Sequence, residues 1–118
     1  MEPAIENALT EAGVRVAAAV ERFGGNEALY VKYVRRFPTE PSFQGLQKAM
    51  ASGDREAARI ACHTLKGVSG NLGFTPLYDA CVRLLETLRR EASGSDAEPF
   101  AAVCAAYGRV TDLLGGIA

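Results

Sequence analysis

Residues 54–73 read DREAARIACHTLKGVSGNLG, and their apolar positions repeat with the period of a helix. At about 100° per residue, Ala57, Ala61, Leu65, Val68 and Leu72 form one stripe, while Glu56, Arg59, His63, Lys66, Gly67 and Gly70 fall on the opposite side. Asp54 is placed to cap this helix, and Glu56 in its first turn suits the helix dipole. His63 is the only histidine in the chain, and its place on the wheel turns it toward water. A glycine inside a helix costs about 1 kcal/mol against alanine, yet Gly67 and Gly70 both stand on the His63 face. A site that something approaches closely is therefore expected there.

Outward from this helix, the chain continues as further helices. Upstream, Pro41 opens one in which Phe43, Leu46 and Met50 face inward and Gly53 follows the last turn. Before it, Asn26 caps Glu27–Phe37, whose Tyr30, Tyr33, Val34 and Phe37 make a core stripe until Phe37-Pro38 ends the helix. Val14–Arg22 reads as a short helix stopped by Gly24-Gly25, and residues 1–12 as a weak helix or a linker remnant. Downstream, Thr75 and Pro76 serve as N-cap and first position of a helix to about Ala92, with Leu77, Cys81, Leu84, Leu85 and Leu88 on its apolar side. Ser93–Asp96 is a turn, and from Glu98 the run Phe100, Val103, Cys104, Tyr107, Val110, Thr111, Leu114 repeats at helical spacing. No segment alternates like a strand. The expectation is an all-α fold, an antiparallel up-and-down four-helix bundle over residues 13–118, with short additional N-terminal helices and an extension at 1–12. Which of five candidate segments make the core four is left open.

Composition narrows the chemistry. With 118 residues, 48% hydrophobic and 23% charged, the chain suits one domain with one core and is too short to hold an ATP-binding catalytic domain as well. A net charge of −1 and a pI near 5.8 argue against nucleic acid as partner. No apolar run approaches the ~20 residues of a membrane span, so a cytoplasmic protein with no membrane insertion is expected. The 3 cysteines form no CxxC pair, which suggests neither a disulfide framework nor zinc. Cys81 and Cys104 read as small core residues, and Cys62, about 100° around the helix from His63, carries no expected redox or metal role. A lone imidazole with a cation at i+3 is poorly furnished to bind metal and has no triad partners. The plain reading of such a residue is an inert surface histidine. Set against that are the glycines, which strip cover from the ring, and Lys66, which neutralises anionic charge; together they suit a reactive nitrogen reached by a bulky anionic partner.

HTLKG followed by NLG, His63 to Gly73, resembles the signature of histidine-containing phosphotransfer (HPt) domains of bacterial phosphorelays. Phe23–Phe37, FGGNEALYVKYVRRF, is similar to the family's upstream segment, and the likeness runs from about Gly13 onward. The resemblance implies that His63 is phosphorylated and that Lys66 and Gly67 hold the positions of the family's Lys and Gly. It implies a phosphocarrier, not an enzyme: the chain binds no cofactor or metal of its own, and the partner receiver domain brings the aspartate, the Mg²⁺ and most catalytic groups. Partners would be response-regulator receiver domains and a hybrid sensor histidine kinase, with Arg59, Gly67 and Gly70 in the docking face of a monomer. One departure concerns the next helix, where many members hold the unreactive ring nitrogen with a polar side chain; by spacing that position is Leu85, leaving Glu86 or a water to substitute. The alternatives are the phosphoacceptor domain of a chemotaxis-type histidine kinase, with which Gly73-Phe74 is compatible; the dimerisation and phosphoacceptor domain of an ordinary sensor kinase, which would want an acidic residue where Thr64 stands; and a helical adaptor with an inert His63.

Overall fold

The computed structural model describes residues 1–90 and 96–116. Among them the chain folds into α1 (Pro3–Glu11), α2 (Val16–Arg22), α3 (Glu27–Arg36), a 3-10 turn (Phe37–Thr39), α4 (Pro41–Ser52), α5 (Arg55–Leu72), α6 (Thr75–Arg89) and α7 (Ala97–Gly115), with no strand. Capping follows local chemistry at three of the starts. The Asp54 side chain accepts from the Ala57 amide at 3.0 Å, Asn26 accepts from Leu29 at 3.0 Å, and Glu40 from Ser42 at 2.9 Å ahead of Pro41, each satisfying an orphan donor of a first turn. Thr75 departs from expectation: it is the first helical residue, and Phe74 is the N-cap, without a side-chain cap. Ala92 and 93–95, where a helix end and a turn are predicted, lie outside the described residues.

The bundle proper is α4–α7, each helix packed on the next. Two-residue connections make α4, α5 and α6 successively antiparallel; Gly53 and Gly73 end α4 and α5 in the left-handed region, at φ 73° and 88°. Glycine is required at 73 on a second ground, since a Cβ there would stand 3.1 Å from Cγ1 of Val14. α4 and α7 meet through Phe43 and Tyr107, stacked at 3.8 Å and 10°. Phe37 joins them, 5.2 Å from the Tyr107 ring and 4.8 Å from that of Phe74. Leu46, Leu65, Leu77 and Leu84 are wholly buried, each worth about 1.5–3 kcal/mol in water-excluded area.

The three N-terminal helices gather at the end of the bundle where α5 stops. α1 buries Ile5, Ala8 and Leu9 and packs on α7, while α2 and α3 reach α5. The Tyr30 hydroxyl donates to the Leu72 carbonyl at 2.7 Å, so one of the free carbonyls of the last turn of α5 is satisfied from α3. At the far end Arg55 does the same for α6. Its guanidinium donates to the carbonyls of Thr87, Leu88 and Arg90 at 3.1, 3.2 and 2.8 Å and pairs with the Asp96 carboxylate.

Two core stripes are rotated from their expected settings. On α3 Tyr30 and Val34 are buried, but Tyr33 is 44% exposed, its ring 5.8 Å from that of Phe23, because α2 and α5 cover only one side of this helix and the stripe is narrower than four positions. On α5 the buried set is Ala58, Cys62, Leu65, Ser69 and Leu72, with Ala57, Ala61 and Val68 half-buried. Because α4 and α6 both flank α5, its buried arc covers both sides, and small polar residues enter it with their hydrogen bonds satisfied: Ser69 Oγ donates to the Leu65 carbonyl at 2.7 Å.

Candidate functional site

His63 stands midway along α5, exposed, on the crest facing away from the seams that α5 makes with α4 and α6. Among the described residues it makes no hydrogen bond or ion pair. Leu85 is buried, at 2% exposure, and offers no polar atom; Glu86 is exposed. The imidazole is thus presented to solvent with both ring nitrogens free of partners from those residues.

Around it the expected residues divide. Lys66 lies one turn on and is half-buried, its stem along the helix flank and its charge felt by the thiols of Cys62 and Cys81 in the α5–α6 seam. Gly67 is exposed, and a Cβ there would meet nothing within 4 Å. Gly70 is different. It is half-buried, and a Cβ would stand 3.1 and 3.3 Å from Cδ2 and Cε2 of Tyr78, so its missing side chain makes room for the Tyr78 ring on the α5 backbone. Arg59 is exposed and bonded to Glu56 at 2.8 Å, an i,i+3 surface pair of small energetic weight that a competing anion can open.

Ile60 is a candidate site residue that sequence reasoning missed. It is 57% exposed and one turn before His63, on the same crest. Its signal was available, for an isoleucine about 60° from His63 on the wheel is an apolar residue on a polar face. Beside the crest, a groove of about 860 Å³ runs between α3 and the second half of α5, with Leu29, Tyr33 and Arg36 on one wall and Val68 and Asn71 on the other. Leu29 and Tyr33 are 37% and 44% exposed, and the Arg36 guanidinium sits over the Tyr33 ring at 5.7 Å, a cation–π pair. This wall joins two segments far apart in sequence and is not visible in either alone.

The described residues hold no group of three or more His, Cys, Asp or Glu side chains able to hold a metal ion, and none of their helices is long and apolar enough to cross a membrane.

The all-α bundle thus raises one uncovered histidine on the outer crest of α5. The Hpt domain family model matches residues 39–117, which span α4–α7 and the site, and the chain belongs to that family. Hpt domains carry phosphoryl groups in phosphorelays and interact with response-regulator receiver domains and histidine kinases. Comparison with curated proteins and with solved structures gave no match.

Proposed function

We propose that the chain carries a phosphoryl group on His63 between aspartates of receiver domains, at least one of them on a hybrid sensor histidine kinase. The observation that carries this reading is the exposure of His63 on a crest where Gly67 leaves the backbone bare. With Nδ1 protonated, the Nε2 lone pair attacks the phosphorus of a receiver aspartyl phosphate; the N–P bond forms as the P–O bond to the carboxylate breaks, and the carboxylate leaves as an anion. Transition-state charge spreads over the phosphoryl oxygens and is met by cations placed beforehand. Lys66 supplies one, and Arg59 another once its pair with Glu56 opens. The aspartate and the Mg²⁺ belong to the receiver. Ile60 and Gly67 form the landing surface, and the groove beside them extends it.

Transfer from a radiolabelled phosphorylated receiver tests the proposal. Wild-type protein is expected to take up an acid-labile, base-stable phosphate and His63→Gln none. Equal labelling of the variant would overturn the assignment.

A further inference from the structure

Leu29, Tyr33 and Arg36 follow one another at i, i+4 and i+7 along the exposed side of α3 and line the groove opposite Val68 and Asn71 of α5. Single exposed apolar side chains are ordinary on a monomer. Leu29 and Tyr33 are not single, since they share one concavity with the half-buried Phe23. Nor is Tyr33 loose: its ring lies against that of Phe23 and beneath the Arg36 guanidinium. Among the described residues Arg36 makes no ion pair. The carboxylate of the same groove, Glu40, is turned to the start of α4, where Oε2 accepts from the Ser42 amide and hydroxyl at 2.9 and 2.6 Å. The groove therefore presents an aromatic ring held in place beside a cation open to an outside anion.

Position ties this groove to the receiver. Val68 and Asn71 lie about 8 and 12 Å beyond His63 along the α5 axis, at 1.5 Å per residue. A standard interface covers about 800 Å² on each partner, a patch about 30 Å across, so a receiver centred on His63 reaches over the groove. The two walls differ in their relation to the family. Val68 and Asn71 fall inside the residues 39–117 that match the Hpt model, as do His63, Lys66 and Gly67, whereas Leu29, Tyr33 and Arg36 fall outside them. The groups proposed for the chemistry thus lie in the matched part, and the α3 wall adds contacts that can favour one receiver over another.

We propose that Tyr33 and Arg36 are specificity-determining residues, which select receivers that bring an apolar side chain flanked by a carboxylate to the groove. The inference rests on the reading of His63 as the acceptor of phosphoryl groups from receivers. The apolar side chain enters between Tyr33 and Val68, and the carboxylate meets Arg36, whose planar fork holds it through two hydrogen bonds. A receiver with a lysine at that place is disfavoured, because it brings like charge against Arg36, and discrimination rests on such repulsion as much as on attraction. Tyrosine and arginine are also residue types on which binding energy concentrates.

The experiment measures transfer to the whole chain from a set of phosphorylated receivers over a range of concentrations. It compares kcat/KM between the receiver that wild-type protein prefers and one that it uses poorly. Tyr33→Ala, Arg36→Gln and, as a third variant on the same wall, Leu29→Gln are first checked for wild-type helicity by circular dichroism. Each is expected to shrink the preference about tenfold or more, with the loss falling on KM for the preferred receiver. Arg36→Gln is also expected to remove most of the salt dependence of that KM. Equal losses with every receiver, or an unchanged preference, would overturn the inference. So would a wild-type dimer that Tyr33→Ala dissociates on a sizing column, since the groove would then belong to a second copy of the chain. No transfer to wild-type protein from any receiver would refute the phosphoacceptor reading and the inference with it, whereas transfer with an unchanged preference refutes only the role of α3.

Discussion

Gly67 and Gly70 stand one turn apart on α5, and substituting each separates the demands of docking from those of packing. A methyl at 67 meets nothing within 4 Å, so Gly67→Ala recovers the helix propensity that glycine forfeits, up to about 1 kcal/mol, and Gly67→Gln about 0.5–1 kcal/mol. At about 2.1 cal/mol/K per residue over 118 residues, 1 kcal/mol raises Tm by about 4 °C. At 70 the same methyl stands 3.1 Å from the Tyr78 ring, which must shift, and the loss of that contact offsets the propensity gain. Thermal melts followed by circular dichroism are therefore expected to show Gly67→Gln above wild type and Gly70→Ala at or below it. Transfer from a phosphorylated receiver, measured over a range of receiver concentrations, is expected to fall about tenfold or more for Gly67→Gln, because a longer side chain one turn past His63 obstructs the approach and small misplacements of reacting atoms cost this much. A Gly67→Gln protein that is more stable and fully active would refute the docking argument. One that unfolds would show that Gly67 serves packing and that its open surroundings mislead.

Lys66→Ala is expected to slow transfer or shorten the phosphohistidine lifetime while changing stability by less than about 1 kcal/mol, mostly through the lost packing of its half-buried stem; unchanged rate and lifetime would leave Lys66 a mere solvated charge. Arg55→Ala removes the donor that serves the carbonyls of Thr87 and Leu88 in α6, that of Arg90 just past its end, and the Asp96 carboxylate, and about 2–3 kcal/mol is expected to be lost in urea denaturation, with transfer per folded molecule unaltered. Less than about 0.5 kcal/mol would mean that water replaces the guanidinium without loss. Burial pushes the Tyr30 hydroxyl up to about 12, whereas an unfolded tyrosine titrates near about 10. Between these values the unfolded chain releases a proton that the folded chain keeps, so stability falls as pH rises through that window. Tyr30→Phe is expected to flatten that slope relative to wild type and to cost about 1–2 kcal/mol at neutral pH by leaving the Leu72 carbonyl without its donor; an unchanged alkaline slope would show that other groups cause it.

Much of the molecule is legible in its one-dimensional pattern. The 3.6-residue period over 54–73 makes α5 a helix and turns its single histidine outward, and both depend only on local geometry. Asp54, Asn26, Pro41 and the left-handed glycines mark helix ends because capping acts over three or four residues. The apolar side of α6, Leu77, Cys81, Leu84, Leu85 and Leu88, is buried as its spacing predicts. The HTLKG run then carries the family.

What the pattern leaves undecided are matters of which neighbour lies on which flank. Five segments have the length for a core of four, and α4–α7 take those places because each packs along the next while α3 folds over the end to bring Tyr30 to Leu72. A helical wheel has one apolar centre, but α5 is gripped from two sides, which draws Cys62 and Ser69 inside and leaves Ile60 on the crest. Gly67 and Gly70 are the same residue on the same face, and only the position of Tyr78 on α6 makes one a bare approach and the other a packing contact. Spacing along the chain determines which side of a helix a residue takes; what that side meets depends on contacts between residues far apart in sequence, such as Cys62 with Cys81, Arg55 with Asp96 and Phe43 with Tyr107, which no local period encodes.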